Sequence, residues 1–232
     1  MTGRMAGILL LAGAAGPAAA QINFGASLTS DYRLRGYSLS EGRPALSGQI
    51  GYDHASGLFV DGNASVFLSS EDKLEWMGAI GAVGYARRLS GSLAFDAGLL
   101  RAQFSPYSSL GRAAGYTELF AGLSGRSLSA RLSYSPDYYR DGIQTLYGSV
   151  DAVARPGTNW RLSAHLGALT RIAGTPPFPI AATQYDWRGG VTRSFGKVDL
   201  DLSMSGGGPN RDYYDDSPRS KTALVGTVRV SF

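Results

Sequence analysis

The chain alternates. In "GLFVDGNASVFLS", Leu58, Val60, Gly62, Ala64, Val66 and Leu68 take one set of positions, and Phe59, Asp61, Asn63, Ser65, Phe67 and Ser69 take the other. "NWRLSAHLGALT" sets Trp160, Leu162, Ala164, Leu166 and Ala168 against Arg161, Ser163, His165 and Gly167. "KVDLDLSMS" sets Val198, Leu200, Leu202 and Met204 against Asp199, Asp201, Ser203 and Ser205. The closing stretch "TALVGTVRVSF" puts Leu224, Gly226, Val228, Val230 and Phe232 opposite Ala223, Val225, Thr227, Arg229 and Ser231. A period of two belongs to a strand with one apolar face and excludes an amphipathic helix.

Twelve such segments are predicted, starting near Ile22, Pro44, Gly57, Leu74, Ser92, Tyr116, Leu128, Ile143, Trp160, Tyr185, Val198 and Thr222. Their connections alternate in length. "DHASG", "RRLSG", "GRS", "RPGTN" and "FGK" are tight, whereas 32–43, 105–115, 135–142, 173–183 and 206–221 are long. Only "SSEDK" at 69–73 is short where a long one is due. Tight turns on one side and longer loops on the other are the layout of an up-and-down outer-membrane barrel. An even strand number brings both termini to the turn side.

The same alternation would serve a soluble sandwich, so the second face decides between them. A solvated outer face normally carries lysine, yet lysine occurs only at 73, 197 and 221, and the mixed face holds Gly, Ser, Arg, Asp and aromatics. That composition suits a barrel interior. On the apolar face, Tyr52, Phe95, Trp160, Phe195 and Phe232 fall at the turn side and Trp76, Tyr134, Tyr185 and Trp187 at the loop side, as two interfacial girdles require. Arg101 and Arg193 break the apolar face near strand ends, where long side chains can reach headgroups. The expected fold is all-β, a transmembrane antiparallel barrel of about twelve strands.

Residues 1–20 read as a cleaved export signal: Arg4, then "AGILLLAGAAG", then Ala18-Ala19-Ala20 as an A-x-A site. Residues 21–232 are then the barrel domain. No other run reaches the length of a spanning helix, and without cysteine there is no disulfide framework. A net charge of +4 is too small to indicate nucleic acid.

The stretch "SDYRLRGYSLSEGRPA" resembles the opening signature of the TorF-like porins, a proteobacterial family of outer-membrane proteins, through Ser30, Asp31, Tyr32, Arg35, Gly36, Ser38, Pro44 and Ala45. The similarity continues in "YSPDYY" at 134–139, "AHLG" at 164–167 and "YDWRGGVTRSFG" at 185–196. Leu34, Ser47 and Asn63 depart from the pattern, standing where an aromatic, a glutamine and a tryptophan are usual. The resemblance implies a Gram-negative outer-membrane barrel and a channel role. The terminal Phe232 resembles the carboxy-terminal signal read by the barrel-assembly machinery.

The predicted lumen faces carry Asp61, Glu75, Asp96, Glu118, Asp151, Asp186, Asp199 and Asp201, against Arg131, Arg161, Arg188 and Arg229, with His165 beside them. These charges either line a constriction or pair across the lumen and plug it. Arg35 is expected to hold the first loop by pairing with Asp31 or Glu41. Ser163 and His165 share a face, the spacing of a serine–histidine pair, but that face points into the lumen, so catalysis is not expected. The function read from the chain is a narrow passive pore for small hydrophilic solutes, a monomer surrounded by membrane lipid and lipopolysaccharide and needing no cofactor. The alternative is a closed structural or partner-binding barrel acting through its outer loops, 206–221 first among them.

Overall fold

A computed structural model describes residues 21–105, 114–176, 179–209 and 222–232. The predicted export signal, 1–20, and most of the loop at 206–221 lie outside the described residues. The elements are β1 (Gln21–Thr29), β2 (Arg33–Leu34), β3 (Tyr37–Ser38), β4 (Ala45–Asp53), β5 (Leu58–Leu68), β6 (Leu74–Arg88) and β7 (Ala94–Phe104). There follow β8 (Ala114–Ser124), β9 (Leu128–Ser135), β10 (Gln144–Gly157), β11 (Trp160–Ala173), β12 (Thr183–Phe195), β13 (Val198–Gly208) and β14 (Thr222–Ser231).

β1 and β4 to β14 form one closed antiparallel barrel of twelve strands, each paired with its neighbour in sequence, and β2 and β3 form a separate short hairpin. Closure comes from β1 lying against β14, with Gly25 opposite Ser231 and Thr29 opposite Thr227. Every barrel strand thus has two partners and no edge is left open. The segments read from alternation match these strands, each start falling within two residues of the expected one. The turns after β4, β6, β8, β10 and β12 are tight and lie on the side of both termini.

The usual distribution of side chains is inverted. Ile22, Leu58, Leu166, Leu202 and Leu224 are exposed on the outside, while Ser47, Ser65, Asp96, Thr192 and Asp201 are buried on the inside. Leu224, Val228 and Phe232 of the final segment face outward, and Val225, Thr227 and Arg229 face inward, as alternation requires. Large aromatics bound the outward band at both ends, with Tyr52, Trp160, Phe195 and Phe232 exposed at the turn side and Trp76 and Tyr185 at the loop side.

The two arginines that interrupt this face stay on it and find partners there. Arg193 lies over the rings of Trp160 and Phe195, 4.6 and 5.4 Å from their centroids. Arg101 donates to Thr117 Oγ1 and Gln103 Oε1 and pairs with Asp137. One register irregularity intervenes: opposite Ser65 and Val66, β6 carries an extra residue, Met77, whose side chain turns inward and is buried.

Candidate functional site in the barrel interior

The segment between β1 and β4 does not project outward. It is knotted around Asp31, whose carboxylate accepts from Ser38 Oγ at 2.5 Å and pairs with Arg33 at 2.9 Å. The Tyr32 backbone N–H donates to Ser40 Oγ, and the Leu39 N–H to the Tyr32 carbonyl. These bonds satisfy a backbone that would otherwise be buried without partners. The segment therefore enters the barrel as a compact body, with Tyr32, Leu39 and Ser40 buried.

Gly36 sits at its tip with φ +80°, and an added Cβ would meet the Gly206 carbonyl oxygen at 2.8 Å and the Gly207 Cα at 2.9 Å. Only glycine fits so close to the β13 backbone in that conformation. Next to it, Arg35 crosses the interior. Its Nη2 lies 2.6 Å from Glu118 Oε1 on β8, and its guanidinium stands 3.9 Å from the centre of the Tyr147 ring, with Tyr138 and Tyr116 at 5.3 and 5.5 Å. Glu118 is buried, so Arg35 supplies the charge that makes its burial tolerable.

An aromatic cluster closes around this contact. Tyr116, Tyr138 and Tyr139 pack at centroid distances of 4.8 to 5.0 Å, with Phe104 against Tyr139. Leu39, Phe67, Met77, Ile143, Leu169 and Ile180 fill in around them. Tyr138 and Tyr139 belong to the connection between β9 and β10, which also folds inward. The loop-side half of the interior is therefore occupied by two connections and an apolar core.

Below it the wall is polar. His165 lies between two carboxylates, Nδ1 at 2.7 Å from Asp151 and Nε2 at 2.9 Å from Asp186, with the Tyr147 hydroxyl 3.1 Å from Nε2. Toward the turn side, Arg188 pairs with Asp201 at 3.0 Å and Arg161 with Asp199 at 3.6 Å, while the Thr192 hydroxyl donates to Asp201. On the far wall Arg131 pairs with Asp96, passing over Gly122 and the Phe120 ring. The side chains of Asp151, His165 and Arg188 keep 32, 26 and 27% of their surface uncovered. On the inward face of a closed barrel, such surface borders space inside it.

Most of the charges expected on the lumen face are thus brought together, but they pair along the wall between nearby strands. Among the described residues, the ion pair that reaches across the interior is the one from Arg35 to Glu118. Arg35 was expected on Asp31 or Glu41; instead Arg33 takes Asp31, and Arg35 takes a residue 83 positions away. Asp61 stands inward on β5, half-buried, and Glu75 is exposed at the loop-side end of β6, away from the network. Ser163 and His165 do share a face, but both nitrogens of His165 are engaged elsewhere and the Ser163 hydroxyl has no partner. Tyr147 and Tyr116, central to the Arg35 contact, were not singled out in the sequence, because nothing local marks an inward tyrosine as a cage wall.

The signature stretch now has physical content. The Ser30 N–H and hydroxyl tie β1 to Gly226; Asp31, Tyr32 and Ser38 build the knot; Arg35 and Gly36 dock it; Ala45 starts β4, and the carbonyl of Pro44 before it accepts from Leu68.

A closed twelve-strand antiparallel barrel with an outward apolar band and a charged interior is a porin-like fold, and solved structures of porins are similar in fold. The NanC porin matches with a TM-score of 0.57 at 10% identity, covering 91% of this chain and 99% of that one. The KdgM porin in complex with disordered oligogalacturonate matches with a TM-score of 0.53 at 12% identity, covering 92% and 99%. At such identities the likeness is one of fold. Residues 11–208 match the family described as "Bacterial protein of unknown function (Gcw_chp)", and the chain belongs to that family. No curated protein matches the sequence.

Proposed function

We propose that the protein is a monomeric barrel of the Gram-negative outer membrane that passes small hydrophilic solutes through a narrow lumen, constricted on the loop side by residues 30–44 and 136–143. The observation that carries this reading is the inverted surface combined with uncovered charged side chains inside the closed wall. An outward band this apolar is unfavourable in water but is at rest in lipid. A twelve-stranded barrel is intermediate between filled eight-stranded barrels and the aqueous porins. The turn side, which holds the termini, would face the periplasm, and the loops would meet lipopolysaccharide. The likeness of Ser30–Ala45 to the TorF-like porins supports the same reading.

A second reading has one observation in its favour: the apolar cluster that fills the loop-side half suits a closed barrel working through its outer loops. Conductance of the folded protein in a planar lipid bilayer separates the two. Discrete small steps from the wild-type chain support the pore. Silence from verified barrel rejects it in favour of the closed form.

A further inference from the structure

The inner wall formed by β11, β12, β13 and β14 carries more donors than it uses. Asp199 takes Arg161 and Asp201 takes Arg188, so two carboxylates are engaged by two guanidinium groups. Arg229 is a third, directly opposite Asp199 in the β13–β14 register and within electrostatic reach of the other four charges. It is 8% exposed, and its Nη1 is buried with no hydrogen-bond partner. Arg188 Nε is in the same condition, as are the hydroxyl oxygens of Ser163 and Ser203.

Arg188 and Arg229 both lie near Asp201, two residues along β13 from Ser203. Ser163, Gly190 and Ser203 are consecutive in one cross-strand row, with Arg188 two residues from Gly190 on β12. Gly190 lets the two serines approach each other: a Cβ there would lie 2.9 Å from Ser203 Cβ and 3.2 Å from Ser163 Oγ. Buried donors without acceptors are rare in native proteins, and each calls for something to fill it. Two N–H groups on arginines, flanked by hydroxyls, are the complement of a carboxylate. The adjacent Asp199 and Asp201 repel a second negative charge while offering acceptors to hydroxyls. His165, with Asp151 and Asp186, adds no positive excess, so recognition here rests on local hydrogen bonds.

We propose that this patch, Arg188 and Arg229 with Ser163 and Ser203 around Gly190, is a binding site for a small hydroxylated monocarboxylate. The proposal deepens the pore reading and rests on it for its place in transport, but binding itself can be measured without conduction.

The test is calorimetric titration of the folded full-length barrel in detergent with sodium gluconate, with glucose and inorganic phosphate as comparisons. Gluconate is expected to bind, and glucose and phosphate to bind at least tenfold more weakly. Arg229→Gln should weaken gluconate about tenfold or more, the range for a hydrogen bond to a charged group. Ser203→Ala should weaken it by a smaller factor, and it carries the test if the arginine variant does not fold. No heat from gluconate, or equal affinity in the variants that do fold, overturns the site. Gluconate binding in a barrel that is silent in bilayers keeps the site and rejects the pore. Conduction with no gluconate binding does the reverse.

Discussion

Glu118→Gln should release the first loop without unfolding the barrel. The substitution keeps size and an acceptor oxygen but removes the charge opposite Arg35, whose guanidinium then stays among Tyr147, Tyr138 and Tyr116 with no counter-ion within contact among the described residues. Deleting a buried partner altogether costs about 3–5 kcal/mol. Because glutamine still accepts a hydrogen bond, the loss is nearer the value of a charged hydrogen bond, about 2–3 kcal/mol. That cost falls on the segment and not on the wall: once it leaves its buried seat, water reaches the Tyr32–Ser40 and Leu39–Tyr32 hydrogen bonds that hold it together. About 2–3 kcal/mol shifts the docked-to-released ratio by roughly 30- to 150-fold. Hydrogen exchange reads this directly. The Tyr32 and Leu39 amides, both hydrogen-bonded in the docked knot, should lose protection by that factor while amides of β12 and β13 keep theirs. Bilayer conductance should rise in parallel if the knot is the constriction. Unchanged protection at Tyr32 and Leu39 would refute the latch. A loss spread evenly around the barrel would refute the separation of loop from wall.

Gly36→Ala should undock the same segment by another route, because the Gly206 carbonyl and Gly207 Cα are backbone atoms that cannot yield; a cost of about 1–3 kcal/mol is expected from the positive φ alone. Exchange at Tyr32 and Leu39 measures it, and full protection would remove the steric argument. Phe232→Ala should lower the amount of barrel assembled in cells while leaving detergent refolding unchanged; equal cellular yield would leave Phe232 as an ordinary outward residue. Trp160→Leu removes the ring beneath Arg193 and should cost about 1 kcal/mol of barrel stability, read as a shifted denaturant midpoint.

How much of this was legible differs by level. Strand boundaries were, because a period of two broken by turn residues needs no tertiary information, and even Arg101 and Arg193 kept the face that the alternation assigned them. The β6 bulge was foreshadowed only by Trp76 and Met77, two large apolar residues in succession that no strict alternation can hold on one face. The direction of the first connection was not legible. Its length and its polar residues read equally well as an outer loop, and the acidic partner that draws Arg35 inward is set by the count of strands around the barrel, which places β8 across the lumen from β1. The nearest carboxylate in sequence, Asp31, was a poor guide because Arg33 already held it. The same geometry explains why a stretch from Ser30 to Ala45 can serve as a signature for a whole barrel. Its residues touch β14 through Ser30, β5 through Pro44, β8 and β10 through Arg35, and β13 through Gly36. A segment that contacts the wall at that many points constrains strand number and register together, so changing the barrel by one hairpin would leave Arg35 without Glu118 and Gly36 without its seat.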